Sequence, residues 1–357
     1  MLQNVHFINY RGLKDTTIPL APITLLTGTN GIGKTSVLEG LYFLLTEQVP
    51  DAAVFPRYQP IHNRTKAGEY DYLSFWKECP TSGASVCQVE ADLKTQKLSW
   101  EMKISDFSGI DEEFKRYELQ RKSGNDTLYV SWEWKSKETN SSQFSSISKA
   151  VQQLIKVSHD SLRNGDVTST ACRYVDMPSI KHVPDTLPLQ TEKLLTRALR
   201  IINSEVTGVR YDGIPGRLRI IIKDEYERSL GALGVGAETW GSVLLVLAEL
   251  ISISTKDKSS VMFLVDEIGA GIHYSKQEEM WGFLLKFLSE YPQIQMVLTT
   301  HSYDCIKAFC KTFQNANPGM AQIVRLHTFG EKDGIKTTTY SHDTFENILQ
   351  DEWEVRG

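Results

Sequence analysis

The stretch "GTNGIGKTS" at residues 28–36 restricts the fold of this 357-residue chain more than any other segment. It meets the pattern GxxxxGK[ST] at Gly28, Gly33, Lys34 and Thr35, with an apolar run before it and a helical pattern after it. Glycines let backbone N–H groups curl around an anion without side chains in the way, and the helix that follows presents its positive end to the same anion. Thr29, Asn30, Gly31, Ile32, Gly33, Lys34, Thr35 and Ser36 are therefore expected to cradle the phosphates of ATP. Lys34 would reach the β and γ phosphates, and the Thr35 hydroxyl would ligate Mg2+.

The surrounding pattern supplies the context such a loop needs. "LQNVHFIN" (2–9) and "TTIPLAPITLL" (16–26) read as strands with "YRGLKD" as a turn between them. "KTSVLEGLYFLL" places Val37, Leu38, Leu41, Leu44 and Leu45 on one helix face. Residues 50–80 read as an irregular or partly helical insertion. Between 85 and 135, "SVCQVEADL", "KLSWEMKI" and "TLYVSWEWK" alternate as strands, with Trp100, Tyr129, Trp132 and Trp134 suited to a sheet face. The Ser-rich stretch 136–150 reads as a loop. Residues 187–207 have helical spacing, "RLRIIIK" reads as a strand, and "LGVGAETWG" (233–241) precedes an apolar helix expected to start near Glu238.

Two intensely apolar runs then end in polar residues. "VMFLVDE" ends in Asp266 and Glu267, and "QIQMVLTTHS" ends just past His301. Runs of this kind suit parallel strands covered on both faces, whose carboxyl ends face a ligand crevice. Asp266 is expected to hold magnesium, Glu267 to polarise the attacking water, and His301 to sense the γ-phosphate. An ordinary imidazole gives no specific reason to make His301 the base when Glu267 is available. "AQIVRLHTF" and "GIKTTTYSHDTF" read as a terminal strand pair with a short tail.

Composition limits the rest. A net charge of −5 argues against a wholly basic nucleic-acid surface. No apolar run approaches the roughly 20 residues a membrane span needs, and the amino terminus lacks signal-peptide features, so a cytoplasmic location is expected. Cys79, Cys87, Cys172, Cys305 and Cys310 show no zinc-like spacing and read as reduced thiols.

The order of phosphate loop, glycine-rich segment, strand ending in DE and strand ending in THS resembles the ABC-type ATPase fold, which also contains the SMC, Rad50 and RecF ATPases. More closely, "FINYRGLKD", "DEIGAGIHYSKQEEMW" and "TTHSYDCIKAF" resemble the bacterial AAA15/AAA21 ATPases related to the overcoming-lysogenisation-defect (OLD) proteins. The resemblance covers roughly 1–50 and 190–357. It implies one α/β P-loop NTPase domain spanning 1–357, an ABC-type head with a mostly parallel core sheet, an antiparallel lobe and a helical insertion. The nucleotide-binding core would comprise 1–50 and 187–357, and the inserted lobe 51–186.

The resemblance further implies a homodimer or higher homo-oligomer in which Gly234 and Gly236 of one copy close over the nucleotide of the other. Residues 233–241 carry no serine beside these glycines, which leaves trans activation open. His273 matches the dimer-crossing loop, Arg11 an arginine near the nucleotide base or phosphates, and Gln59 or Gln88 the glutamine that bridges magnesium. OLD proteins often carry a carboxyl-terminal nuclease, and the 56 residues after His301 are expected to leave no room for one. A separate effector, a nuclease or toxin in antiphage defence, is then the expected partner. Direct duplex-DNA binding is the alternative, through Arg197, Arg200, Arg210, Arg217, Arg219 and Lys223, and a nucleotide-held scaffold without turnover is the other. Sustained heptads are absent, which disfavours a coiled-coil tether.

Overall fold

The computed structural model describes residues 1–46, 79–93, 97–108, 113–123, 126–135, 171–175, 189–211, 218–223, 226–257, 260–328 and 334–350. The expected insertion at 50–80 lies almost wholly outside these residues, as does the Ser-rich stretch 136–150, and so do the side chains of Tyr129, Trp132 and Trp134.

Strands β1 (Leu2–Tyr10) and β2 (Leu13–Pro19) form a hairpin around a two-residue turn, tighter than the expected "YRGLKD". Val5 and Phe7 of β1 pair in register with Ala91 and Val89 of β4 (Val86–Leu93). The ladder continues antiparallel through β5 (Lys97–Ser108), β6 (Glu113–Ser123) and β7 (Asp126–Lys135). The single strand expected over 16–26 is two. Pro22 donates no ladder hydrogen bond, and the chain leaves this sheet at Leu20 to enter a second one as β3 (Ile23–Thr27).

The second sheet is the core. Its order is β15 (Lys336–Ser341), β14 (Ala321–His327), β3, β13 (Ile294–Thr299), β12 (Val261–Val265) and β8 (Ala171–Val175). All neighbours run parallel except β15, which is antiparallel to β14. Every residue of β3, β12 and β13 is buried, as expected for strands covered on both faces. β1 and β2, within the expected core span 1–50, pair into the antiparallel sheet, and β8, within the expected inserted span 51–186, pairs with β12 of the core sheet.

Helix α1 (Lys34–Thr46) lies between the two sheets. Its apolar surface is not the single face expected, because Tyr42 and Phe43 are buried along with Leu38, Leu41 and Leu44. A helix covered on opposite sides has no solvent face to make polar. Gly40 lets it approach closely, since a Cβ there would stand 2.6 Å from the Phe7 ring. Trp100 packs edge-on against Phe43 and Tyr10, at centroid distances of 5.0 and 5.7 Å.

The other face of the core sheet is covered by α2 (Leu189–Ile202), α3 (Val235–Asp257), α4 (Tyr274–Glu290), α5 (Tyr303–Phe313) and α6 (His342–Gln350). A small antiparallel sheet of β9 (Val206–Tyr211), β10 (Leu218–Ile222) and β11 (Tyr226–Ser229) packs into the same cluster. Gln295 fastens the two large sheets together. Its carboxamide accepts the Leu2 N–H at 2.9 Å and donates to the carbonyls of Leu2 and Ala21 at 2.9 and 3.1 Å. No helix among the described residues is long and apolar enough to cross a membrane.

Candidate functional site

Because β3, β13 and β12 are parallel neighbours, the segments that follow them emerge side by side at one edge of the sheet. The segment after β3 is the glycine loop. Gly28 has φ +136°, and a Cβ on it would stand 2.5 Å from the Leu326 carbonyl oxygen, so only glycine fits. Thr29, Asn30 and Gly31 form an exposed crest, while Ile32 and Gly33 are half-buried. Lys34 is buried, and its ammonium donates to the carbonyls of Gly28 at 2.7 Å and Thr29 at 3.1 Å. Loss of water pushes its pKa below the ordinary lysine value, and the charges of Glu267 and Asp266 act in the opposite direction.

The acids follow β12. Asp266 Oδ2 accepts a hydrogen bond from the Thr35 hydroxyl at 2.7 Å, and its Oδ1 accepts one from the Thr299 hydroxyl. The Glu267 N–H donates to that same Thr299 oxygen at 2.8 Å. Glu267 has φ +53°, a left-handed conformation costly for a residue with a Cβ. Its carboxylate meets His301 Nδ1 at 2.6 Å, and the His301 side chain is 59% exposed. Five positions singled out in the sequence (Lys34, Thr35, Asp266, Glu267 and His301) thus converge from three segments.

Among the described residues no group of three or more His, Cys, Asp or Glu is placed to hold a metal. What Thr35 and Asp266 offer is a hydroxyl and a carboxylate that already meet at 2.7 Å. Two oxygen donors suit Mg2+, which keeps waters and takes further oxygens from phosphate instead of filling a protein cage.

The glycine segment is placed differently from expectation. Helix α3 starts at Val235, three residues before Glu238, after a 3-10 turn at Leu230–Leu233. Gly234 and Val235 are exposed, and Gly234 has φ +96°. Gly236 is buried against the turn that follows the acid pair, where an added Cβ would stand 2.2 Å from the Gly271 carbonyl oxygen. His273 is exposed at the start of α4, with Nδ1 2.9 Å from Ser275 Oγ.

Arg11, expected near the nucleotide base or phosphates, is held at the side of the phosphate loop by protein groups. It forms an ion pair with Glu39 of α1, the two side chains 10% and 0% exposed, and lies 3.5 Å from Ser36 Oγ. The Arg11 N–H donates to the Cys79 carbonyl at 2.6 Å, and the Thr81 hydroxyl donates to the Arg11 carbonyl at 2.6 Å. The β1–β2 turn is thereby bound to the helix that carries the phosphate loop. Gln59 lies outside the described residues, and the Gln88 side chain donates to Glu90.

Of the cations proposed for a nucleic-acid groove, Arg210 pairs with Glu227 at 3.2 Å, Lys223 pairs with Glu205, and Arg200 Nε donates to the Val206 carbonyl at 2.7 Å. Arg197 is exposed, and Arg217 lies outside the described residues. Two contributors escaped the sequence reading. Glu39 had a visible signal, a lone acid in an apolar helix, and Thr299 had a fainter one, the hydroxyl pair before His301.

No curated protein matches this chain. Among solved structures, an SMC head domain from Thermotoga maritima is 13% identical with a TM-score of 0.46, covering 95% of this chain and 98% of that one. The recombination mediator protein RecF-ATPrS in the RecFOR pathway is 10% identical with a TM-score of 0.42, covering 95% and 98%. The family model described as AAA ATPase domain matches residues 1–184, which contain the glycine loop and α1, while the acid pair and His301 lie outside that span. With more than half its length matched, the chain belongs to the AAA_15 family of P-loop ATPases.

Proposed function

We propose that this ATPase is a nucleotide-driven switch that hydrolyses ATP with Mg2+, pairs two copies through the bound nucleotide, and controls a separate effector protein in bacterial antiphage defence. The observation that carries the hydrolytic part is the convergence of Lys34, Thr35, Asp266, Glu267 and His301 at the ends of three adjacent strands. Each group has chemistry to perform. Lys34 exchanges two neutral carbonyl acceptors for phosphate oxygens, which form stronger, charge-assisted bonds. Thr35 and Asp266 would hold the magnesium, which would supply charge neutralisation at the β and γ phosphates. Glu267 takes the proton of the attacking water, and His301, 2.6 Å from the Glu267 carboxylate, orients it and contacts the γ-phosphate.

The dimer and the effector rest on the OLD-like resemblance and on the exposed start of α3. Gly234 and Val235 present backbone at a helix amino terminus, where a phosphate bound to a second copy is stabilised without a serine hydroxyl. A dimer closed on ATP and open after hydrolysis biases a partner only if the partner binds the two states differently. Moving a partner from about 1% to 99% engaged takes a differential of about 5.5 kcal/mol. A protein effector in the cytoplasm rests on the OLD-like resemblance, and the exposed pairs Arg210–Glu227 and Lys223–Glu205 lower the net positive charge that face offers to duplex DNA.

The test is ATP turnover by the wild type and Glu267→Gln, each with and without duplex DNA, with oligomeric mass read in parallel. Turnover lost in E267Q with an ATP-dependent dimer retained is the expected result. Stimulation by DNA that falls steeply with salt would transfer the reading to a DNA-repair ATPase. Equal, negligible turnover in both proteins would replace the hydrolytic switch with a nucleotide-held scaffold.

A further inference from the structure

Thr299, the last residue of β13, is fully buried, and its hydroxyl is engaged in both directions. It accepts the Glu267 N–H at 2.8 Å and donates to Asp266 Oδ1. The Thr299 carbonyl accepts the Ile268 N–H at 2.8 Å. One residue of β13 therefore grips three consecutive residues that follow β12. Two features of the acid pair need such a grip. Asp266 has two oxygens that are chemically equivalent until something distinguishes them, and the Thr299 hydroxyl occupies Oδ1 while Oδ2 meets Thr35. Glu267 sits at φ +53°, which for a residue with a Cβ costs on the order of 1–2 kcal/mol and persists only where neighbouring contacts determine it.

We propose that Thr299 is a positioning residue of the ATPase site. Its hydroxyl fixes which carboxylate oxygen of Asp266 faces Thr35 and is left to serve a magnesium ion, and it holds the Glu267 backbone in the left-handed conformation from which its carboxylate reaches His301. Thr299 touches neither nucleotide nor water in this role. It acts through the two acids, and the proposal rests on the Mg2+-dependent reading of the site given above. A hydroxyl is required because one atom must accept from an N–H and donate to a carboxylate at once. Valine has the same shape and does neither. Serine keeps both bonds.

The experiment uses the full chain as wild type, Thr299→Val and Thr299→Ser. Binding of a fluorescent, non-hydrolysable ATP analogue is titrated with Mg2+, and thermal midpoints and single-turnover hydrolysis are measured alongside. In T299V the Mg2+ concentration that half-saturates the tightening of analogue binding should rise about 10- to 100-fold, the range for losing a hydrogen bond behind a metal ligand. Mg2+-free analogue affinity should stay within about 3-fold, and T299S should lie within about 3-fold of wild type in all three measurements. A T299V half-saturation within about 2-fold of wild type overturns the proposal. So does equal loss of Mg2+-free and Mg2+-bound affinity with a lowered thermal midpoint, the signature of a merely structural residue. A wild type that shows Mg2+-dependent binding but no turnover sinks the hydrolytic reading, while the shift in T299V still supports the positioning role. Wild-type binding indifferent to Mg2+ overturns both.

Discussion

Removing Glu39 from α1 should destabilise the chain more than removing any surface acid. Glu39 is fully buried, its partner Arg11 is 10% exposed, and loss of one member takes this ion pair from a charge that little water reaches. Breaking such a pair costs about 3–5 kcal/mol, whereas replacing both members with apolar side chains is often neutral. For 357 residues, an unfolding entropy of about 2.1 cal/mol/K per residue totals about 0.75 kcal/mol/K, so Glu39→Leu should lower the thermal midpoint by about 4–7 °C. Arg11→Met should fall by a similar amount. The double variant should return toward wild type, because the cycle separates the pair from the other contacts each residue makes. Differential scanning calorimetry of the four proteins measures this. Additive single effects, or a midpoint loss in E39L below about 1 °C, would refute the buried-pair account. An R11M variant that keeps its midpoint while losing ATP affinity would make Arg11 a nucleotide contact and not a structural one.

Two further outcomes follow from packing and burial. Gly236→Ala would press a Cβ to 2.2 Å from the Gly271 carbonyl oxygen, whereas a Cβ at Gly282 within α4 meets nothing within 4 Å. G236A should therefore cost about 1–3 kcal/mol by overpacking, and G282A should stabilise by about 0.5–1 kcal/mol through helix propensity, both read from denaturant midpoints. Burial raises the thiols of Cys87, Cys305 and Cys310 from 9.0 to about 12. Native alkylation at pH 8 should be slow and unfolding should release it, because the thiolate is the nucleophile. The same thiols bind protons more tightly folded than unfolded. Their stabilising contribution is complete below pH 9 and declines as pH rises towards 12, so denaturation midpoints should fall across that window.

The sequence by itself determined the local half of this protein. Spacing identified the loop at 28–36, the helix after it, and two apolar strands ending in Asp266–Glu267 and before His301, because each signal depends on residues a few positions apart. It misread 16–26 as one strand, since Leu20–Pro22 is apolar and its exit to another sheet is not a property of the segment. It gave α1 one buried face, since periodicity says that a surface is covered and not how many elements cover it.

Tertiary structure alone decided which residues meet. Thr35 reaches Asp266 across 231 positions, Glu267 reaches Thr299 across 32, and Arg11 finds Glu39 across 28. Those contacts depend on the order β3-β13-β12 and on the sheet laid over α1. Strand order is fixed by how the whole core closes, and the hydrophobic patterns of the three strands are interchangeable. The chemistry was therefore visible as residue types in the chain, and its geometry exists only in the fold.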